Sequence, residues 1–153
     1  MPKALYKSRF IIAIAFAVLL LLLSSCSKEA LAQQNRSILE QYFEDNILNR
    51  DFTVHLATDN GLDLTAQYSG YKFKLIKNTL LQGPLTAITG STTYTGTWIC
   101  NEDYSKLVIT LPTANAVFDF ISREWRFTKK AVPIMELAPW GTTEPKVLHM
   151  ERL

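Results

Sequence analysis

The chain has 153 residues, 48% of them apolar, which suffices for one domain with a modest core. Three of its 16 basic residues, Lys3, Lys7 and Arg9, stand in the first nine positions without an acid among them. The remainder is therefore close to neutral and holds no basic cluster of the kind that binds nucleic acid.

From Phe10 to Leu23 every residue is apolar. A basic start followed by an apolar run too short for a flanked spanning helix has the form of a secretory signal. Small Ser24 and Ser25 then lead to Cys26. Leu23-Ser24-Ser25-Cys26 resembles the lipobox of bacterial lipoproteins. The resemblance implies a diacylglyceryl thioether on Cys26, cleavage before it, and acylation of the new amine. The thiolate suits this chemistry because it is a far stronger nucleophile than a serine hydroxyl at neutral pH. Residues 1–25 are then a removed signal peptide, and residues 26–36 a lipidated cysteine and tether. The competing expectation is an uncleaved N-terminal membrane anchor. Ser27 after the cysteine resembles the sorting pattern of Gram-negative outer-membrane lipoproteins, which implies a membrane partner in the cell envelope through the lipid. Ser27-Lys28-Glu29 partly resembles a surface-export signal, and Ala30 ends the match.

Cleavage leaves 128 residues with 13 Lys/Arg against 14 Asp/Glu. It also leaves Cys100 without a cysteine to pair with. Two cysteines are in any case too few for a disulfide scaffold or a four-cysteine zinc site.

Ser37-Ile38-Leu39-Glu40 has the form of a capping box. Leu39, Tyr42, Phe43, Asn46 and Ile47 follow at helical spacing, which predicts one amphipathic helix over 37–48, ending near Asn49. Its acidic polar face argues for a cover over the core rather than a membrane-surface helix.

Beyond Phe52 the period changes to two. Tyr71, Phe73 and Leu75 alternate with Lys72 and Lys74. Leu107, Ile109 and Leu111 form a second alternating set, Trp125 and Phe127 a third. Met135 and Leu137, then Leu148 and Met150, complete the pattern. Less regular β-rich runs at 52–58, 85–89 and 94–100 raise the expectation to eight strands. Turns are expected at Gly83-Pro84, Gly90-Ser91, Asn101-Glu102-Asp103, Lys129-Lys130-Ala131 and Trp140-Gly141-Thr142. These connections leave no room for crossover helices, so the strands must be antiparallel. The two longer connections are Asp59 to Gly70 and residues 112–123, the latter with a short helical turn.

Eight consecutive antiparallel strands hide their edges most simply as an up-and-down barrel. The helix, Phe52 to Ala57, Asp59 to Thr65, Tyr71-Lys72-Phe73, Gly96-Thr97-Trp98 and Phe120 to Trp125 resemble, in that order, the lipocalin-like lipoproteins of the Bacteroidetes. The resemblance covers residues 37–153 and implies a mainly β, eight-stranded lipocalin-like barrel preceded by one helix. Gly96-Thr97-Trp98 departs from true lipocalins, whose Gly-x-Trp motif begins the first strand.

The barrel interior is expected to be lined by Tyr71, Phe73, Leu75, Trp98, Leu107, Ile109, Trp125, Phe127, Met135, Leu137 and Leu148. Two functions follow. A cavity lined this way holds a small hydrophobic ligand such as a lipid or sterol. A barrel of this size filled by its own side chains is instead a structural or interaction module contacting a protein or glycan, as an inhibitor does.

No catalytic constellation, metal site or cofactor motif emerges. Asp59-Asn60-Gly61-Leu62-Asp63 resembles part of a calcium loop but lacks the downstream bidentate Glu and reads as a tight turn. His55 and His149, on the first and last strands, read as solvated. Cys100, on the face of Trp98, reads as a buried inert thiol. Glu102 and Asp103 read as turn carboxylates. Trp140 sits in a loop, as a contact residue or a lid.

Overall fold

The computed structural model describes residues 28–153. The signal stretch, the lipobox with Cys26, and Ser27 lie outside the described residues. The chain divides into two compact units, Met1–Ile38 and Leu39–Leu153.

In the first unit the described residues are helical and exposed. Helix α1 spans residues 28–46, nine residues earlier than the capping box at Ser37 predicts. Residues 28–36, Lys-Glu-Ala-Leu-Ala-Gln-Gln-Asn-Arg, contain no β-branched residue, glycine or proline, so helix costs little there and Ser37 falls inside it. The stretch read as a tether is helical as far as it is described. Among the described residues no helix is long and apolar enough to cross a membrane.

The second unit begins inside α1. Phe43, Ile47 and Leu48 are buried, and Leu39, Tyr42 and Asn46 are half-buried, which is the predicted stripe. The helix stops where Asn49 adopts φ 58, a left-handed conformation that asparagine tolerates. The Asn49 N–H then donates to the Leu75 carbonyl at 2.7 Å, tying the helix end to the wall of the barrel.

Nine strands follow: β1 (Asp51–Asp59), β2 (Leu62–Asp63), β3 (Lys72–Leu75), β4 (Gln82–Thr89), β5 (Thr92–Cys100), β6 (Lys106–Thr110), β7 (Glu124–Lys129), β8 (Ile134–Pro139) and β9 (Lys146–Arg152). Each pairs antiparallel with its neighbour, and β1 also pairs with β9 from Phe52–Arg152 to Asp59–Lys146, which closes the sheet. Eight strands form an up-and-down barrel, as the alternation predicts, and β2 lies outside it on β1. β2 follows a two-residue hairpin in which Asn60 and Gly61 take φ 51 and 81, the positive values of a type I′ turn.

β1 carries a bulge at His55, between Val54 and Leu56. The extra residue shifts the inward set from Phe52 and Val54 to Ala57, hence the imperfect period over 52–58. One expected turn is not a turn: Gly83-Pro84 lies inside β4, and the connection from β3 is residues 76–81. Glycine is required there because a Cβ on Gly83 would stand 2.0 Å from the Ile76 carbonyl oxygen, where the connection folds back over β4.

Candidate functional site

The natural candidate is the barrel interior. Nine of the eleven residues expected to line the interior, Phe73, Leu75, Trp98, Leu107, Ile109, Trp125, Met135, Leu137 and Leu148, are 0–1% exposed. Tyr71 and Phe127 are half-buried, one near each end of the barrel. The strands therefore bring the expected residues together. A void able to hold even one water would leave its walls accessible from within, and these side chains are accessible from neither side.

Both ends are filled as well. At the end where β1 begins, Phe43 of α1 inserts between Tyr104, at 4.9 Å between ring centroids, and Trp98 and Phe127, each at 6.0 Å. Tyr42 fixes the same end from outside: its hydroxyl donates to the Lys130 carbonyl at 2.8 Å and accepts from the Val132 N–H at 3.2 Å. At the opposite end, two 3-10 turns, Thr65–Tyr68 and Ala116–Phe118, cover the opening. Phe118 meets Tyr94 at 4.9 Å and Tyr71 at 5.7 Å, both edge-on, while Tyr71 stacks on Phe73 at 6.0 Å. Edge-to-face and offset rings at such separations pack densely and attract one another.

The polar tips of the buried aromatics all find loop carbonyls. Trp98 Nε1 donates to the Ile76 oxygen at 2.8 Å, and Tyr104 Oη to Leu80 at 3.2 Å. At the other end Trp125 Nε1 donates to Ile121 at 2.9 Å, and Tyr68 Oη to Val117 at 2.8 Å. Each bond satisfies a buried donor and pins a connection over the barrel mouth. Among the described residues no buried side-chain nitrogen or oxygen lacks a partner.

Sequence reasoning missed part of this core. Tyr68, Tyr104 and Phe118 lie in connections, yet each is about 1% exposed. Their signal was composition alone, large aromatics in segments otherwise rich in Ser, Asn, Asp and Gly.

The wall has one thin place. β3 pairs with β1 only at Asp51–Lys74 and Phe52–Phe73. Beyond it β1 turns to β2, and residues 64–71 fill the gap. The Leu64 N–H donates to the Ala57 carbonyl at 2.8 Å, the Ala57 N–H to Thr65 Oγ1 at 3.0 Å, and Thr53 Oγ1 to the Tyr71 carbonyl at 3.4 Å.

The other singled-out residues are accounted for structurally. Cys100 is buried on the Trp98 face, and burial pushes its thiol up to about 12, which disfavours the thiolate at neutral pH. Asp103 accepts from the Ser105 hydroxyl at 2.6 Å and the Ser105 N–H at 2.9 Å, which holds its carboxyl below the ordinary value. Asp59 is lowered by the Lys146 ammonium at 2.7 Å, and Asp63 by the Thr65 hydroxyl and N–H. The two ends of the suspected calcium loop are thus engaged by other partners. His55 and His149 do lie on neighbouring strands, with Leu56 opposite His149. His55 is half exposed in its bulge, with Nδ1 3.4 Å from Glu151 Oε2, and His149 is half-buried. Trp140 lies half-buried, its N–H donating to the Glu124 carbonyl and Lys106 Nζ 5.5 Å above its ring.

On the outer wall, Asn78, Gln82, Pro84, Thr95, Thr97 and Ile99 line an uncharged groove of about 460 Å³ between β4 and β5. Comparison of the chain with protein-family models, with curated proteins and with solved structures finds no match.

Proposed function

We propose that this chain is a lipid-anchored cell-envelope protein whose barrel is a non-enzymatic interaction module with a solid core. On this reading Cys26 carries the anchor, and the surface and connecting loops of the barrel contact a protein or glycan. The observation that carries it is the filling of the interior. Side chains expected to line a cavity are packed against one another, and an aromatic plug occupies each end. The anchor is supported by Leu23-Ser24-Ser25-Cys26 after a basic and apolar leader. Kinship with the lipocalin-like lipoproteins of the Bacteroidetes, and with it an outer-membrane location, belongs to the same proposal.

Carriage of a small hydrophobic ligand is the second reading, and one observation favours it. Tyr71 and Tyr94 remain half exposed beside Phe118, over the thin place in the wall, so an apolar ligand would enter there by displacing the 3-10 turns.

Native mass spectrometry of the protein purified from its source envelope separates the two. The solid-core reading expects the mass of the processed chain with its acyl groups and nothing else apolar. A stoichiometric, non-covalent apolar molecule would overturn it. For the anchor, Cys26→Ala is expected to leave an unprocessed precursor or to release the protein from membranes. Normal processing with membrane retention would refute lipidation.

A further inference from the structure

Outside the barrel, the wall around β7 holds a cation without a counter-charge. Arg126 points outward and is exposed, in register with Lys106 on one side and with small Ala138 on the other. The nearby acids are already engaged. Glu124 takes Lys106 Nζ at 2.7 Å, while Glu144 takes Lys146 Nζ at 3.1 Å and lies 3.8 Å from Arg123 Nη1. Among the described residues no carboxylate pairs with Arg126. Glu124 already neutralises Lys106, which leaves Arg126 as the cation that an added anion would pair with.

The connection from β8 to β9 supplies the donors for one. It turns at Gly141, with φ 69, and continues through Thr142 and Thr143. These three residues and Arg126 line a recess of about 580 Å³. The loop is pinned on both sides, by the Trp140 N–H on the Glu124 carbonyl at 3.0 Å and by the Glu144 N–H on Thr142 Oγ1 at 3.3 Å. Between those bonds the N–H groups of Gly141 and Thr143 donate to no described group, while the hydrogen-bonded turn at Trp140-Gly141 engages the Thr142 N–H. N–H groups on either side of such a turn add donors for an anion held by a neighbouring cation.

We propose that Arg126 and the Gly141–Thr143 backbone form a binding site for one oxyanion group: a phosphate, sulfate or carboxylate, either free or carried on an acidic sugar. The guanidinium engages the anion with paired, charge-assisted hydrogen bonds, and the loop N–H groups cap the remaining oxygens. Half-buried Trp140 precedes Gly141 in the same loop. The site gives the interaction-module reading a contact of stated chemistry, yet stands whether or not the barrel is hollow.

The test is a titration of the full chain, held in a nonionic detergent micelle, with inorganic phosphate and separately with glucuronate, followed by amide NMR. Saturable shifts are expected at Gly141, Thr142, Thr143 and the Arg126 side chain, with Thr95 and Thr97 on the other wall unmoved. Arg126→Ala is expected to weaken binding about tenfold or more without changing the melting temperature, and Arg126→Lys to weaken it less, since only arginine engages an oxyanion bidentately. Tighter binding of glucuronate than of phosphate assigns the site to an acidic sugar, and the reverse assigns it to a phosphoryl group. Shifts that fail to saturate with either probe, or that survive in Arg126→Ala, overturn the site. The solid-core reading is untouched by that outcome, because it is tested by what co-purifies with the barrel.

Discussion

Tyr68 Oη donates to the Val117 carbonyl oxygen at 2.8 Å, across 49 residues of sequence. The bond joins the two 3-10 turns that cover one mouth of the barrel, at the place where β1 and β3 have parted. Tyr68→Phe removes the donor and leaves the Val117 carbonyl without its partner, at a cost of about 1–2 kcal/mol. Urea unfolding should show that loss. Hydrogen exchange should accelerate in residues 64–71 and 116–121 and stay unchanged in α1. If protection there equals that of the wild type, the bond does not hold the cover.

Alkaline pH should loosen the barrel through groups that burial keeps protonated. The Cys100 thiol and the Tyr68 phenol are both pushed up to about 12, from ordinary values of 9.0 and 10.0. The folded state retains these protons at pH values where the unfolded chain releases them. The stability they contribute is therefore fully present below about pH 9 and is lost progressively up to pH 12. Denaturant midpoints measured across that range should fall, and less steeply in Cys100→Ala. At pH 8 a thiol reagent should leave Cys100 unmodified until the chain is unfolded; rapid labelling of the native protein would contradict the burial.

At Gly96 the backbone of β5 runs close against Thr110 at the end of β6. A Cβ there would stand 1.9 Å from the Thr110 carbonyl oxygen, which is backbone and cannot swing aside. Gly96→Ala should therefore force β5 and β6 apart and destabilise the fold by about 1–3 kcal/mol, as overpacking does. Gly96 also leads the Gly-Thr-Trp motif, so this contact gives a physical reason for a glycine two residues before Trp98. A melting temperature equal to that of the wild type would show that the strands do not approach so closely.

Phe43 is the plug at the other mouth, 1% exposed and in contact with Trp98, Tyr104 and Phe127. Phe43→Ala should cost about 3–5 kcal/mol and open an apolar recess at that end. Binding of a small apolar dye should rise in the variant relative to the wild type. Equal dye binding would mean that the surrounding rings collapse into the space.

The eight strands were readable because alternation of side chains along a strand is a local property, visible in Lys72-Phe73-Lys74-Leu75 without knowing its neighbours. Turn chemistry at Asn60-Gly61, Gly90 and Gly141 was readable for the same reason, since each residue's own backbone preference is at stake. The early start of α1 was also present in the sequence, in the strong helix formers from Lys28 to Gln34, but the capping pattern at Ser37 competed with it. Local rules conflicted there, and propensity over several turns outweighed one cap.

What the amino-acid order determines by itself is thus the number of barrel strands, their antiparallel sense and the inward faces. Only the tertiary structure decides that the inward faces meet without space between them. That outcome depends on summed side-chain volume against barrel diameter, and on whether segments without periodicity fold inward. Tyr68, Tyr104 and Phe118 do so because each hydroxyl or ring finds a partner contributed by a distant part of the chain. The placing of Arg126 beside the Gly141–Thr143 loop is likewise a matter of register between strands, which alternation alone does not set.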